Sequence, residues 1–169
     1  MKPPLDKFDL TGRVALVTGA AGMLGGQFTR GLLQAGACVI VADVRSDAAH
    51  SAAQAAMDDV GGKAIPAELD VRDKSQVEEL MTTLLDDHGL LDVLVNNAAM
   101  NPKVDPESMG RLANTFEDYP LDLWRESLDV NLTGVFLCCQ GAGKIMVSQG
   151  SGAIINICST YGLVAPDQR

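Results

Sequence analysis

The stretch Val14-Ala15-Leu16-Val17-Thr18-Gly19-Ala20-Ala21-Gly22-Met23-Leu24-Gly25 decides how the rest of the chain is read. A short apolar run, with valine at both ends, passes straight into a turn containing three glycines. A stretch with helical spacing follows from about Met23 to Ala35 and is closed by Gly36. The next apolar run, Cys38–Ala42, ends on Asp43. Strand, glycine turn, helix, strand and acid in that order form the nucleotide-binding half of a doubly wound α/β fold. Glycine is needed there because backbone must approach a pyrophosphate closely, and the helix beyond the turn offers free N–H groups and a positive dipole end. Asp43 lies at about the spacing, roughly 20 residues past the turn, of a carboxylate that hydrogen-bonds the adenosine ribose. That carboxylate repels a 2′-phosphate, so the expected cofactor is NAD rather than NADP. Arg45 weakens this only a little, and Gly22 offers no cation inside the turn.

The alternation continues outward. An Ala-rich helical stretch runs from Asp47 to about Val60 and stops at Gly61-Gly62, and Lys63–Leu69 reads as a third strand. Pro66 cannot donate to a ladder, which puts that strand at an edge. Lys74 to about His88 is helical, with Val77, Leu80, Met81, Leu84 and Leu85 at three- and four-residue spacing and Gly89 at its end. Val93–Val95 is strand four and leads into Asn96-Asn97-Ala98-Ala99. Residues 100–120 form the longest irregular stretch, a surface excursion of the kind that is often functional in a compact domain. Leu121–Ser148 reads as one long helix or a helix pair bent near Gly134, Ala153–Ile157 as strand five, and Cys158–Arg169 as a loop. Strands built as continuous Val/Ile/Leu runs and separated by helices imply a parallel sheet covered on both faces. The whole of residues 1–169 is expected to be a single domain.

Composition narrows the function classes. With 169 residues, 13 Lys+Arg against 22 Asp+Glu and a net charge of −9, the chain lacks the clustered cations that nucleic acid requires. Its 47% hydrophobic content is ordinary for a packed domain and argues against disorder. Apolar runs such as Cys38–Ala42 are a handful of residues, far short of a membrane span. The N-terminus shows no apolar export segment, and a cytoplasmic protein is expected. Cys38, Cys138, Cys139 and Cys158 sit in apolar stretches without ligand spacing to His50 or His88, so reduced, buried thiols and no metal site are expected. The sequon Asn131-Leu-Thr133 is read as chance.

From about Asp9 to its last residue the chain resembles the short-chain dehydrogenase/reductase family, classical type. The motifs that carry the resemblance are Thr18–Gly25, Asp43, Asp70-Val71 after strand three, Asn96-Asn97-Ala98, Asn131, and Ile155-Asn-Ile-Cys-Ser159. The resemblance implies a Rossmann fold with strand order 3-2-1-4-5 in this chain and an NAD-linked interconversion of a secondary alcohol and a ketone. The implied cofactor contacts are Thr18, Gly19, Gly22, Met23, Leu24, Gly25, Asp43, Val44, Asp70 and Val71 (the last two at the adenine), with Asn97, Ala98 and Ala99 nearer the nicotinamide. Ser159 corresponds to the serine that positions the carbonyl oxygen, and Asn131 to the asparagine that holds a relay water. A homo-dimer or homo-tetramer is implied, with the long helix in the interface.

Three departures bear on the activity. The middle glycine of the family turn stands one place early, at Gly22, a spacing more typical of extended members such as sugar-nucleotide epimerases and dehydratases; Asn96-Asn97, Asn131 and Ser159 favour the classical branch. Ala99 replaces the glycine that usually follows Asn-Asn-Ala. The family's Tyr-x-x-x-Lys acid/base pair has no counterpart, because Tyr119 is followed four places on by Leu123 and Tyr161 by Ala165. Tyr161 is expected to line or underpin the substrate pocket. The 169 residues alone are therefore expected to be inactive, as the cofactor-binding portion of a longer enzyme, with strand five left as a bare apolar edge. The competing reading is a non-catalytic NAD-binding module. Asn101, Lys103 and Arg111 in the excursion could meet a polar substrate such as a sugar acid or polyol, whereas a ketone carried on acyl-carrier protein is disfavoured.

Overall fold

A computed structural model describes residues 8–100, 116–159 and 162. The apolar runs form a five-stranded parallel sheet of order β3-β2-β1-β4-β5. The strands are β1 (Val14–Thr18), β2 (Cys38–Asp43), β3 (Lys63–Glu68), β4 (Val93–Asn96) and β5 (Ala153–Asn156). The helices α1 (Met23–Gln34), α2 (Ser46–Val60) and α3 (Lys74–His88) connect the first four strands. β1 lies at the centre and is completely buried. Alternate side chains serve opposite faces. Ala15, Val17, Val39, Val41 and Val95 pack with Leu33, Ala53 and Ala56 of α1 and α2, while Val14, Leu16, Ile40 and Leu94 pack with Val77, Met81 and Leu84 of α3. This is a Rossmann-type sheet, covered on both faces as continuous apolar strands require.

The stop signals act where the sequence puts them. Gly61 and Gly89 cap α2 and α3 at φ +75° and +72°, and the Asp73 side chain caps α3 by accepting from the N–H groups of Ser75 and Gln76. Pro66 lies on the edge strand β3, opposite Val41 of β2, so its missing N–H costs no hydrogen bond inside the sheet. β5 forms the other edge, and Ile154, Ile155 and Ile157 are 37%, 48% and 41% exposed.

Between residues 121 and 149 the chain is one continuous helix with a widened turn, rather than a pair joined at a break. α4 (Leu121–Leu128) passes through a π-helical segment, Asp129–Gly134, into α5 (Val135–Gln149). Gly134 ends the wide turn, and its backbone lies against Val71, where a Cβ would stand 2.6 Å from Val71 Cγ2. Leu121–Gln149 is long and apolar enough by composition to cross a membrane, yet Cys138, Ala142, Ile145 and Met146 bury one side of α5 in the sheet core. The opposite side exposes Leu121, Trp124, Leu128, Leu132, Phe136 and Val147.

The cysteines are free thiols, but not all are buried. Cys138 is buried, and desolvation pushes its thiol up to about 12. Cys38 and Cys139 are half-buried, and Cys158 is exposed. The expectation that all four lie inside fails at Cys158, because it follows an edge strand that none of the described residues covers on its outer side. Residues 101–115, with Asn101, Lys103 and Arg111, and Tyr161 lie outside the described residues.

Candidate functional site

Doubly wound sheets place ligands at the carboxyl ends of the strands, where the winding reverses. Here the reversal falls between β1 and β4, and a cleft of about 600 Å³ opens there. Its floor and walls include Gly19, Gly22, Met23 and Leu24 from the turn, Asp43 and Val44 after β2, Asp70 and Val71 after β3, and Asn97, Ala98 and Ala99 after β4. Of the residues expected to contact a dinucleotide, only Thr18 and Gly25 do not line the cleft. They build it instead. Arg45, Leu69, Arg72, Met100, Glu126 and Val130 also line it and were not among the expected contacts.

The turn after β1 is locked by close backbone packing. Gly19 has φ +60°, and a Cβ on it would fall 2.7 Å from Ala98 Cα. A Cβ on Gly25, in the first turn of α1, would fall 2.5 Å from the Gly19 carbonyl oxygen and 2.9 Å from Asn97 Nδ2. Gly22, by contrast, has φ −75°, and its only close neighbour would be the Gly19 carbonyl at 3.3 Å. It is the N-cap of α1 and supplies no side-chain cap, so the first N–H groups of the helix face the cleft without an intrahelical carbonyl. Met23, standing where the family turn has its middle glycine, is 83% exposed and has helical backbone, so the early glycine is accommodated without strain.

Thr18 and Asn97 tie the two strands that flank the reversal. The buried Thr18 hydroxyl accepts from the N–H groups of Asn97 and Ala98, both at 3.1 Å, and donates to the Val95 carbonyl. The Asn97 amide donates to the carbonyls of Thr18 and Gly19, both at 3.0 Å. Leaving such part-buried N–H groups without an acceptor costs about 1–3 kcal/mol each, so Thr18 has a fixed role although it never reaches the cleft surface. Asn96 points the other way and donates to Asn156 Oδ1 at 2.8 Å, joining β4 to the β5 edge.

Asp43 is both a local cap and a wall of the cleft. Its Oδ2 accepts from the Ala21 N–H and its Oδ1 from the Arg45 N–H, each at 3.2 Å, while Arg45 Nε lies 3.7 Å from Oδ1. The carboxylate side chain is 9% exposed, whereas Arg45 is 68% exposed. Further along, Asp70 is gripped by Arg72 through contacts of 2.6, 2.9 and 3.1 Å, and these bonds hold its carboxyl below the usual carboxylate range.

On the β4 side, the Asn131 amide makes a two-way clasp with the Met100 backbone. Its Oδ1 accepts the Met100 N–H at 2.8 Å and its Nδ2 donates to the Met100 carbonyl at 3.0 Å. The clasp pins the segment after β4 to the π-helical turn. Ser159 lies just past β5, exposed, and its carbonyl accepts from the Gly162 N–H at 2.9 Å. Among the described residues, no group of three or more His, Cys, Asp or Glu could hold a metal ion.

The chain belongs to the short chain dehydrogenase family, whose model matches residues 13–168. It is 38% identical over 155 residues to the 3-oxoacyl-[acyl-carrier-protein] reductase of Synechocystis sp., covering 92% of this chain and 59% of that protein. A solved gluconate 5-dehydrogenase from Burkholderia cenocepacia, in complex with NADP and tartrate, superposes with a TM-score of 0.83 at 33% identity; the match covers 96% of this chain and 59% of that one. An NAD+-bound xylitol dehydrogenase superposes with a TM-score of 0.81 at 28% identity, covering 93% and 56% respectively. The chain thus spans about three fifths of the length of the curated relatives it matches.

Proposed function

We propose that this chain is the cofactor-binding portion of an NAD-linked oxidoreductase that interconverts a secondary alcohol and a ketone. The observation that carries this reading is the cleft at the β1/β4 reversal, with glycine backbone and free α1 N–H groups on one side and the Asp43 carboxylate on the other. Gly19 and Gly25, where a Cβ would collide with Ala98 or the Gly19 carbonyl, keep the turn tight, which suits a pyrophosphate drawn close to the Gly22–Leu24 backbone on the cleft wall. Asp43 would accept from the ribose hydroxyls, Asp70 and Val71 would face adenine, and Asn97, Ala98 and Ala99 would line the nicotinamide side. When bound, the nicotinamide supplies the hydride acceptor or donor. Ser159 would position the carbonyl oxygen, and Asn131, whose clasp holds Met100, would fix the approach to the reacting ring. The sequence contains no Tyr-x-x-x-Lys, so the 169 residues by themselves are expected to bind cofactor without turning substrate over. Calorimetric titration with NAD and with ADP-ribose tests this: one dinucleotide bound per chain is expected, and no heat with either ligand would overturn the reading.

The exposed stripe from Leu121 to Val147 supports a homo-oligomer joined through the long helix. Sedimentation should give a mass of at least two copies, and Trp124→Glu should lower it to one; a monomer in the unchanged protein would remove this part of the reading.

A further inference from the structure

We propose that Arg72 is a positioning residue for purine selection: it holds the Asp70 carboxylate in one orientation on the cleft wall, where that carboxylate accepts an exocyclic amino group and rejects a purine carrying a carbonyl at the same place. The inference rests on reading the cleft as a dinucleotide site, and it adds a role for a residue that is not part of the turn or the acid motif.

The geometry is that of a clamp. Arg72 Nε donates to both oxygens of Asp70, at 2.9 and 3.1 Å, and Nη2 donates to Oδ2 at 2.6 Å. The Arg72 backbone N–H adds a fourth contact, 3.0 Å from Oδ1. A carboxylate held by a planar fork on one edge cannot rotate without breaking several bonds at once, so its remaining lone pairs point in fixed directions. The guanidinium is held in turn from the far side, where Nη1 lies 3.8 Å from Glu126 Oε1 of α4, and the charge of Asp129 acts on it as well. The Asp70 N–H donates to Gln76 Oε1 at 2.9 Å, which fixes the backbone under the pair. Asp70, Arg72 and Glu126 all line the cleft.

The chemistry follows from the proton count. An ionised carboxylate only accepts hydrogen bonds, so adenine, with an amino group on C6, finds a partner there. Hypoxanthine places an oxygen at C6, and two acceptors then face each other with no proton between them. The Arg72 hydrogen bonds also hold the Asp70 carboxyl below the usual carboxylate range, and a carboxyl in that range is already ionised at neutral pH, so Asp70 presents only acceptors there.

Stability alone does not call for this pair. Arg72 and Asp70 are 42% and 24% exposed, and partly exposed ion pairs contribute little to folding. A substitution at Arg72 should therefore leave the fold standing and be read in ligand choice. The test compares NAD with nicotinamide hypoxanthine dinucleotide by calorimetry for the unchanged chain, Arg72→Leu and Arg72→Lys, with melting temperature as the control. The unchanged chain should favour NAD by about tenfold or more, the worth of one hydrogen bond to a charged group. Arg72→Leu should bring the two dinucleotides to within about threefold at an unaltered melting temperature, and Arg72→Lys, a point charge without the fork, should recover only part of the preference. An undiminished preference in Arg72→Leu overturns the proposal. Equal affinities in the unchanged chain also overturn it while leaving the dinucleotide reading intact, and only failure to bind either ligand would count against that reading.

Discussion

Replacing Gly22 by aspartate should make the chain slightly more stable and unable to hold a dinucleotide. Gly22 is the N-cap of α1, with φ −75° and ψ 168°, the extended backbone an aspartate N-cap adopts. No side chain caps the helix now and no acid stands in its first turn. An aspartate here would accept from the free N–H groups and favour the positive dipole end; together these are worth about 0.3–1 kcal/mol. The new Cβ meets only the Gly19 carbonyl, at 3.3 Å, a contact that a few tenths of an ångström relieve. The same carboxylate would occupy the N–H groups a pyrophosphate needs and set a negative charge against it inside the cleft, so NAD affinity should fall by at least about 100-fold. Denaturant melts and NAD titration on the same sample read both effects. A variant that gains stability and still binds NAD at full strength would mean that the α1 N-terminus is not where the phosphates sit. The opposite signs set this change apart from Gly19→Val or Gly25→Val, where a Cβ would run into Ala98 or the Gly19 carbonyl and the turn itself would be damaged.

The strands could be located on the sequence because each is a short, mostly apolar run between helical stretches, whereas their order in the sheet was implied by the family resemblance. The helix stops Gly36, Gly61 and Gly89 all have positive φ, which glycine takes at little cost. The glycine turn on the cleft wall could be read for the same reason, since a turn packed closely against neighbouring backbone leaves its mark as glycines. What the sequence hid comes from α4. None of the residues of that helix is buried, so no core-facing stripe announces which side faces the cleft, and Glu126 of α4 and Val130 of the π-helical segment after it reach the wall unannounced. Arg72 and Arg45 each pair with an acid two residues back, a spacing that on a sequence suggests only a solvated loop. The π-helical turn could be located only as a bend near Gly134, and the close approach of that residue to Val71 joins positions far apart in the chain. Thr18 and Gly25 were expected to contact a ligand and instead build the cleft, since a motif marks where side chains are constrained but not which partner constrains them.

The second large effect is expected at Asp43, where substitution by serine should reverse the cofactor preference. Three donors converge on this carboxylate: the N–H groups of Ala21 and Arg45 at 3.2 Å and the Arg45 guanidinium at 3.7 Å. They form an anion cradle that the protein fills with its own acid. While the acid is present, Arg45 is neutralised and a 2′-phosphate would meet a negative charge. With serine, the hydroxyl can still accept from one N–H, the rest of the cradle is free, and Arg45, already 68% exposed on the cleft wall, can turn toward a phosphate. Removing a like charge and gaining a charge-assisted contact are each worth about 1.5–2 kcal/mol, so the NAD-to-NADP affinity ratio should fall by roughly 100- to 1,000-fold. Most of the change should come as a gain for NADP, together with about a tenfold loss for NAD as its ribose hydroxyls lose an acceptor. The salt dependence separates this from general damage: NADP binding to Asp43→Ser should weaken markedly between low and physiological ionic strength, because its new partner is a solvent-exposed guanidinium, while NAD binding changes little. Competition titration of both cofactors at two salt concentrations reads every part of this. Equal losses for NAD and NADP would show that Asp43 matters only as the acceptor that fixes Ala21 and the glycine turn, and the choice between cofactors would then have to lie elsewhere on the cleft wall.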